Sequence, residues 1–172
     1  MKPPLRIGIL LLALALALFL ATSQRAYSPV SFGGGAGNLQ PNEWREMAHD
    51  LLGPQNLKIS FSTVNGTPIT LYLVNSQQLQ EWKETNTTNP TIKIENQSSI
   101  INTYDIPSRD TYTILIHNPN NKTEGIHIDL TLYGFEKDLT LTTAIITIIG
   151  IAIPTTTFIT KKATKRTHKK QP

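Results

Sequence analysis

Apolar residues are distributed along this chain in three different ways, and the three patterns divide it into segments. Residues 7–21 read IGILLLALALALFLA with no charge, and residues 139–160 read LTLTTAIITIIGIAIPTTTFIT, again without one. Between them the pattern alternates. Successive side chains of a strand point to opposite faces, so a period of two marks a half-buried strand. Leu57, Ile59 and Phe61 alternate with Lys58, Ser60 and Ser62. Ile69, Leu71 and Leu73 continue the pattern, as do Tyr112, Ile114 and Ile116. The cleanest run sets Ile126, Ile128, Leu130 and Leu132 inward and His127, Asp129, Thr131 and Tyr133 outward. Shorter strands are predicted near residues 91–95 and 99–104. Asn65-Gly66 is a tight-turn signal, so the strands on either side of it are expected to form a hairpin. The loop after Asn118 is likewise expected to close a hairpin, with His117 and His127 at its two ends.

Two helices are expected. Over residues 41–52, Trp44, Met47, Ala48 and Leu51 share a side, and Gly53-Pro54 ends the run. Over residues 75–83, Asn75 stands three residues before Gln78, a capping-box spacing, with Leu79 and Trp82 on one face. Six or seven short strands punctuated by turns predict a mostly β chain, an antiparallel β-sandwich carrying one or two short helices.

The uncharged runs set the domain limits. Residues 1–23 have the form of a secretory signal peptide: Lys2 and Arg6, a short apolar middle, then the small-residue pattern Ala21-x-Ser23. Length favours cleavage over an uncleaved signal anchor, although a short helix can span by thinning the bilayer. Residues 24–40, with the cluster Gly33-Gly-Gly-Ala-Gly37, read as a flexible linker. Residues 41–138 make the sandwich domain. Residues 139–160 would form a helix of about 33 Å, enough to cross a hydrocarbon core. A single strand that long would be far outside the usual range. Pro154 near its end is expected to kink the helix, and the threonine hydroxyls can bond back one turn. Residues 161–172 form a basic tail.

Charge then fixes orientation. The formal net charge is +4, yet Lys2, Arg6, Lys161, Lys162, Lys165, Arg166, Lys169 and Lys170 flank the apolar runs, which is 8 of the 16 basic residues. The middle carries 8 basic against all 12 acidic side chains, a net of −4 that repels a phosphate backbone and excludes nucleic acid as partner. Cations beside both runs place those flanks in the cytoplasm and the domain outside the cell. The chain is then single-pass after cleavage, or two-pass if uncleaved. Asn65, Asn86, Asn96 and Asn121 each begin an acceptor triplet for N-glycosylation, consistent with exposure. With no cysteine there is neither a disulfide framework nor a thiolate.

Catalytic signals are lacking in the sequence. His117, His127 and Asp129 are the sole grouping suggestive of a metal, and three or four converging ligands would be needed. There is no Gly-x-Ser-x-Gly elbow and no His-Glu-x-x-His helix. Asp105 with Asp110, and Glu81 with Glu84, read as solvating carboxylates in a turn and on a helix face. Trp44 and Trp82 are candidate interface anchors, set against an ordinary place in the core. No enzyme activity and no cofactor are expected, and the partners implied are membrane lipid and a neighbouring membrane or surface protein.

The order Leu71-Tyr-Leu-Val-Asn75, a short helix ending Glu-Trp-Lys83, Asp105-Ile-Pro107, Tyr112-x-Ile-x-Ile-x-Asn118 and a long alternating strand closing on Gly134 resembles prokaryotic GOLD-like β-sandwich domains. More distantly the layout is similar to that of cargo receptors of the early secretory pathway. This chain lacks the cysteine pair common in the eukaryotic receptors, and only residues 135–138 separate sandwich from span, which leaves no room for their coiled coil. The resemblance supplies no catalytic residues, and a span that fixes the sandwich at the outer membrane face implies a non-enzymatic binding or accessory protein.

Overall fold

The computed structural model describes residues 3–27, 30–31 and 35–168. The chain divides into two compact units: residues Arg25–Glu136, and the flanking apolar segments. The first holds nearly all the strands' contacts in two antiparallel sheets. One sheet runs β1 (Val30–Ser31), β9 (Glu124–Tyr133), β4 (Asn56–Thr63), β7 (Ser99–Asp105), with β2 (Gly35–Leu39) also paired to β9. The other runs β3 (Trp44–Leu52), β8 (Asp110–His117), β5 (Ile69–Asn75), β6 (Ile92–Gln97). The alternating residues behave as their period requires. Leu57, Ile59, Ile69, Leu71, Leu73, Ile114, Ile116, Ile126, Ile128 and Leu130 are all at most 1% exposed and share one core between the sheets.

Four local expectations differ from what is observed. Residues 44–52 form strand β3 instead of a helix. A bulge between Glu46 and Ala48 shifts the register against β8, so Met47 and Ala48 both pack on the core, while Trp44 pairs with His117 on the outer face. An inserted residue breaks the period of two, and the spacing left behind imitates a helical stripe. The strands flanking Asn65-Gly66 are not a hairpin: β4 lies in one sheet and β5 in the other, and the turn, with Gly66 at φ 71°, carries the chain across the core. The loop after Asn118 crosses in the same way, from β8 to β9. Part of the expected linker is also ordered, since Gly35–Leu39 forms β2 and Leu39 is fully buried. Gly33 and Gly34 lie outside the described residues.

The expected second helix forms as α2 (Ser76–Thr85), with both bonds of the capping box at Asn75 and Gln78 and a left-handed C-cap at Asn86. Gln78 also accepts from Thr91 N and Oγ1 and donates to Asn89 O, which ties the helix to the loop leading into β6. Helices α1 (Pro3–Tyr27) and α3 (Lys137–His168) contain stretches long and apolar enough to cross a membrane, Pro3–Gln24 and Lys137–Thr156. Pro154 lies within α3, and the last four residues of the basic tail lie outside the described residues.

Candidate functional site

The outer faces of the two sheets differ. On the β3-β8-β5-β6 sheet the outward residues Val74 and Leu115 are fully buried because Leu79 of α2 packs on them. Beside this patch sits an aromatic cluster. Trp44 stacks on His117 with centroids 4.4 Å apart and planes 6° from parallel, and meets Tyr72 at 5.5 Å and Trp82 at 5.6 Å. Ion pairs Lys83–Glu46 and Lys93–Glu95 edge it. The Tyr72 hydroxyl donates to Glu95 at 2.8 Å. Burial, then the Glu95 carboxylate, pushes the Tyr72 phenol up to about 12, and the same hydrogen bond and Lys93 hold Glu95 below the usual carboxylate range. Burial lowers the His117 imidazole. Trp44, Tyr72, Trp82 and His117 are each partly buried by one another, and Trp44 and Trp82 fasten α2 to the sheet.

The opposite sheet presents a polar outer face with no helix of the sandwich unit over it, since α2's contacts run to β5 and β8. Strand pairing sets its rows. Ser62 lies between Ser99 and His127, and Ser60 lies between Ile101 and Asp129. A groove of ≈ 490 Å³ opens here, lined by Ser60, Phe61, Ser62, Ser99, Ile100, Ile101 and His127. Ile101 stands 73% exposed at the edge strand β7, an apolar side chain among hydroxyls. Concave volume of this size suits a small ligand or a partner side chain.

Ser62, His127 and Asp129 are neighbours of the types used in nucleophilic catalysis, but their geometry is wrong for it. His127 Nε2 and Asp129 Oδ2 are 3.7 Å apart with side chains 62% and 59% exposed, beyond hydrogen-bond reach and in water. At that exposure the pair is screened and contributes little. The metal grouping does not assemble. His117 is stacked on Trp44 in one sheet while His127 and Asp129 face outward from the other, and among the described residues no group of three ligating side chains forms. The carboxylates Asp110, Glu81 and Glu84 accept from Ser76, Thr88 and Gln80 respectively, as ordinary surface groups.

The four acceptor asparagines are all exposed. Asn65 follows β4, Asn96 is the penultimate residue of β6 with φ 54°, and Asn121 is in the loop between β8 and β9. Thr63 N donates to Ser98 O and Val64 N to Gly125 O, so these three lie at one end of the sandwich. Asn86 caps α2.

Sequence reading missed two polar anchors. Asn118 is fully buried: its Nδ2 donates to Leu39 O, Gln40 O and Lys122 O, and its Oδ1 accepts from Asn120. Glu136, 3% exposed, pairs with Arg109 against Gly53, where a methyl group would sit 2.6 Å from Glu136 Oε2. A lone Glu between an aromatic and a Lys carries no sequence signal of that burial.

No protein-family model matches the sequence, and comparison with characterised proteins finds no match. Among solved structures, the pre-peptidase C-terminal domain of a collagenase from Bacillus anthracis is similar over 58% of this chain and 88% of its own, at 14% identity and TM-score 0.45. PliG of Aeromonas hydrophila, a periplasmic inhibitor of g-type lysozyme, is similar over 60% of this chain and 85% of its own, at 4% identity and TM-score 0.43. The Yersinia pseudotuberculosis-derived mitogen is similar over 64% and 91%, at 14% identity and TM-score 0.41. At these values the likenesses carry no argument about chemistry or partner.

Proposed function

We propose that this chain is a non-enzymatic, membrane-anchored binding protein. Its sandwich lies outside the cell, and it serves as an auxiliary subunit or assembly factor of a membrane or cell-surface complex, with a GOLD-like layout. The observation that carries this reading is the groove on the β4-β7-β9 face, where exposed Ile101 stands in rows of small hydroxyl side chains at a sheet edge. An apolar anchor at an open edge suits a protein partner better than a reacting substrate. The two apolar helices support membrane attachment, and basic residues at their outer ends support a cytoplasmic C-terminus. Only Phe135 and Glu136 lie between Gly134 and α3, and Glu136 is held by Arg109, so little free chain is left to extend the domain toward distant partners.

Purification of the full chain in mild detergent tests the proposal. A companion protein should co-purify with the wild type and be lost with Ile101→Asp while the fold is kept. A solitary chain under every mild condition would refute it. Exposure of Asn65, Asn86, Asn96 and Asn121 supports glycosylation of the outer domain, read out as a mobility shift on deglycosylation. A second reading, an extracellular ligand-binding or sensing module, draws on the same ≈ 490 Å³ groove. Saturable binding of a sugar or short peptide, abolished by changes at Ser62 and His127, would favour it.

A further inference from the structure

The packing of α1 on α3 reverses the rule for helices in water. Along α1, among the residues whose burial is described, the buried ones are Gly8, Ala15 and Thr22, seven apart, while Leu10, Leu16, Phe19 and Leu20 are 69%, 58%, 51% and 59% exposed. Along α3, among the residues whose burial is described, the buried ones are Thr143 and Gly150, again seven apart, while Leu141 and Ile148 are 63% and 66% exposed. A water-soluble helix pair would turn its leucines inward. In lipid no such drive exists, and helices associate through small residues that let the backbones approach.

The contact is specific at one place. Pro154 has no N–H, so the Gly150 carbonyl, four residues earlier, loses its helical hydrogen bond, a costly vacancy in hydrocarbon. Gly8 sits against that carbonyl: a methyl group there would lie 2.9 Å from Gly150 O and 2.9 Å from Pro154 Cδ. A methyl group at Gly150 would lie 3.1 Å from Leu12 Cγ. Only glycine leaves room for the α1 backbone and its Cα–H groups beside the freed oxygen. Gly8 meets residues 150 and 154 whereas Leu11 and Leu12 meet 150, so the helices run antiparallel.

A second observation concerns the expected cleavage site. Helix α1 continues to Tyr27, past Ala21 and Ser23, and Thr22 and Ser23 donate to Leu18 O and Phe19 O within it. Proteolytic cleavage concentrates at loosely held chain, whereas this stretch is helical, with Thr22 buried and both hydroxyls hydrogen-bonded.

We infer that α1 is retained as a second membrane span, docked antiparallel on α3 through Gly8 at the carbonyl freed by Pro154, with both chain ends on the cytoplasmic side. This inference rests on the membrane reading proposed above. The test uses the full chain in cell membranes with a different epitope tag at each end. The native chain has no cysteine, so introduced pairs report alone. Both tags should stay on one band, and Leu12→Cys with Gly150→Cys should form an internal disulfide on oxidation. The outward pair Leu16→Cys with Ile148→Cys should not. Adding Gly8→Ile should sharply lower the internal cross-link, while Leu10→Ile should leave it intact. A membrane-bound chain that has lost its first tag overturns this inference alone, as does a retained chain that cross-links only between copies or not at all. A chain recovered in solution without detergent overturns the membrane reading itself.

Discussion

Asn118 offers a sharp test of the physics in this fold. Its side chain is completely buried where the chain crosses from β8 toward β9, and Nδ2 makes bonds of 3.1, 3.1 and 2.8 Å to the carbonyls of Leu39, Gln40 and Lys122. Asn118→Ala removes all of them. The bond to Leu39 O is the fully buried one, and that carbonyl would be left without a donor, a loss of about 1–3 kcal/mol. The other two carbonyls can recover water, so each costs only the net value of a hydrogen bond, about 0.5–1.5 kcal/mol. These ranges sum to about 2–6 kcal/mol. Because a shift of the connection can let water reach the cut carbonyls, the expected loss is in the lower half, about 3 kcal/mol. Asn118→Asp should be worse, because it sets an acceptor against three carbonyl oxygens and buries a charge. Urea unfolding of the full chain in detergent, followed by tryptophan fluorescence, reads this directly, since Trp44 pairs with the adjacent His117. With a slope of about 1–3 kcal/mol/M the alanine midpoint should fall by about 1–3 M. If Ala stays within about 0.5 kcal/mol of wild type, the range of an indifferent surface change, or if Asp is no worse than Ala, the reasoning fails.

Other outcomes follow from the same geometry. Gly53→Ala should destabilise the sandwich by pushing a methyl group onto the Arg109–Glu136 pair; Arg109→Ala should cost about 2–3 kcal/mol in the same unfolding experiment, and an unchanged midpoint for both would refute the anchor. Alkaline titration by phenolate absorbance should contain a component near 12 that Tyr72→Phe removes. Because its folded value is raised, the stability Tyr72 contributes is full below the ordinary value of 10.0 and lost as pH rises through about 12. His117 has the opposite sign. Its folded value lies below 6.5, so its contribution is complete above that pH and lost as pH falls through the folded value. The acid limb of a stability profile should flatten in His117→Gln, as measured by the urea midpoint at successive pH values.

What the sequence determined by itself was local. Period two located β4, β5, β8 and β9 because a half-buried strand must alternate, and Asn75 with Gln78 announced α2 because the capping box closes within one turn. The uncharged runs identified both apolar helices on length and composition alone. Alternation says which side chains face inward, but it does not say in which sheet. Every connection from β3 to β9 except β5–α2–β6 changes sheet, and an Asn-Gly turn serves a crossing as well as a hairpin. The bulge in β3 hid a strand under a helical spacing, since the extra residue is specified only by pairing with β8. The groove around Ile101, the partial burial of Trp44 and the burial of Asn118 and Glu136 were likewise decided by tertiary structure. Each depends on strands far apart in the chain coming to lie side by side, and one-dimensional pattern carries no record of which neighbours those will be.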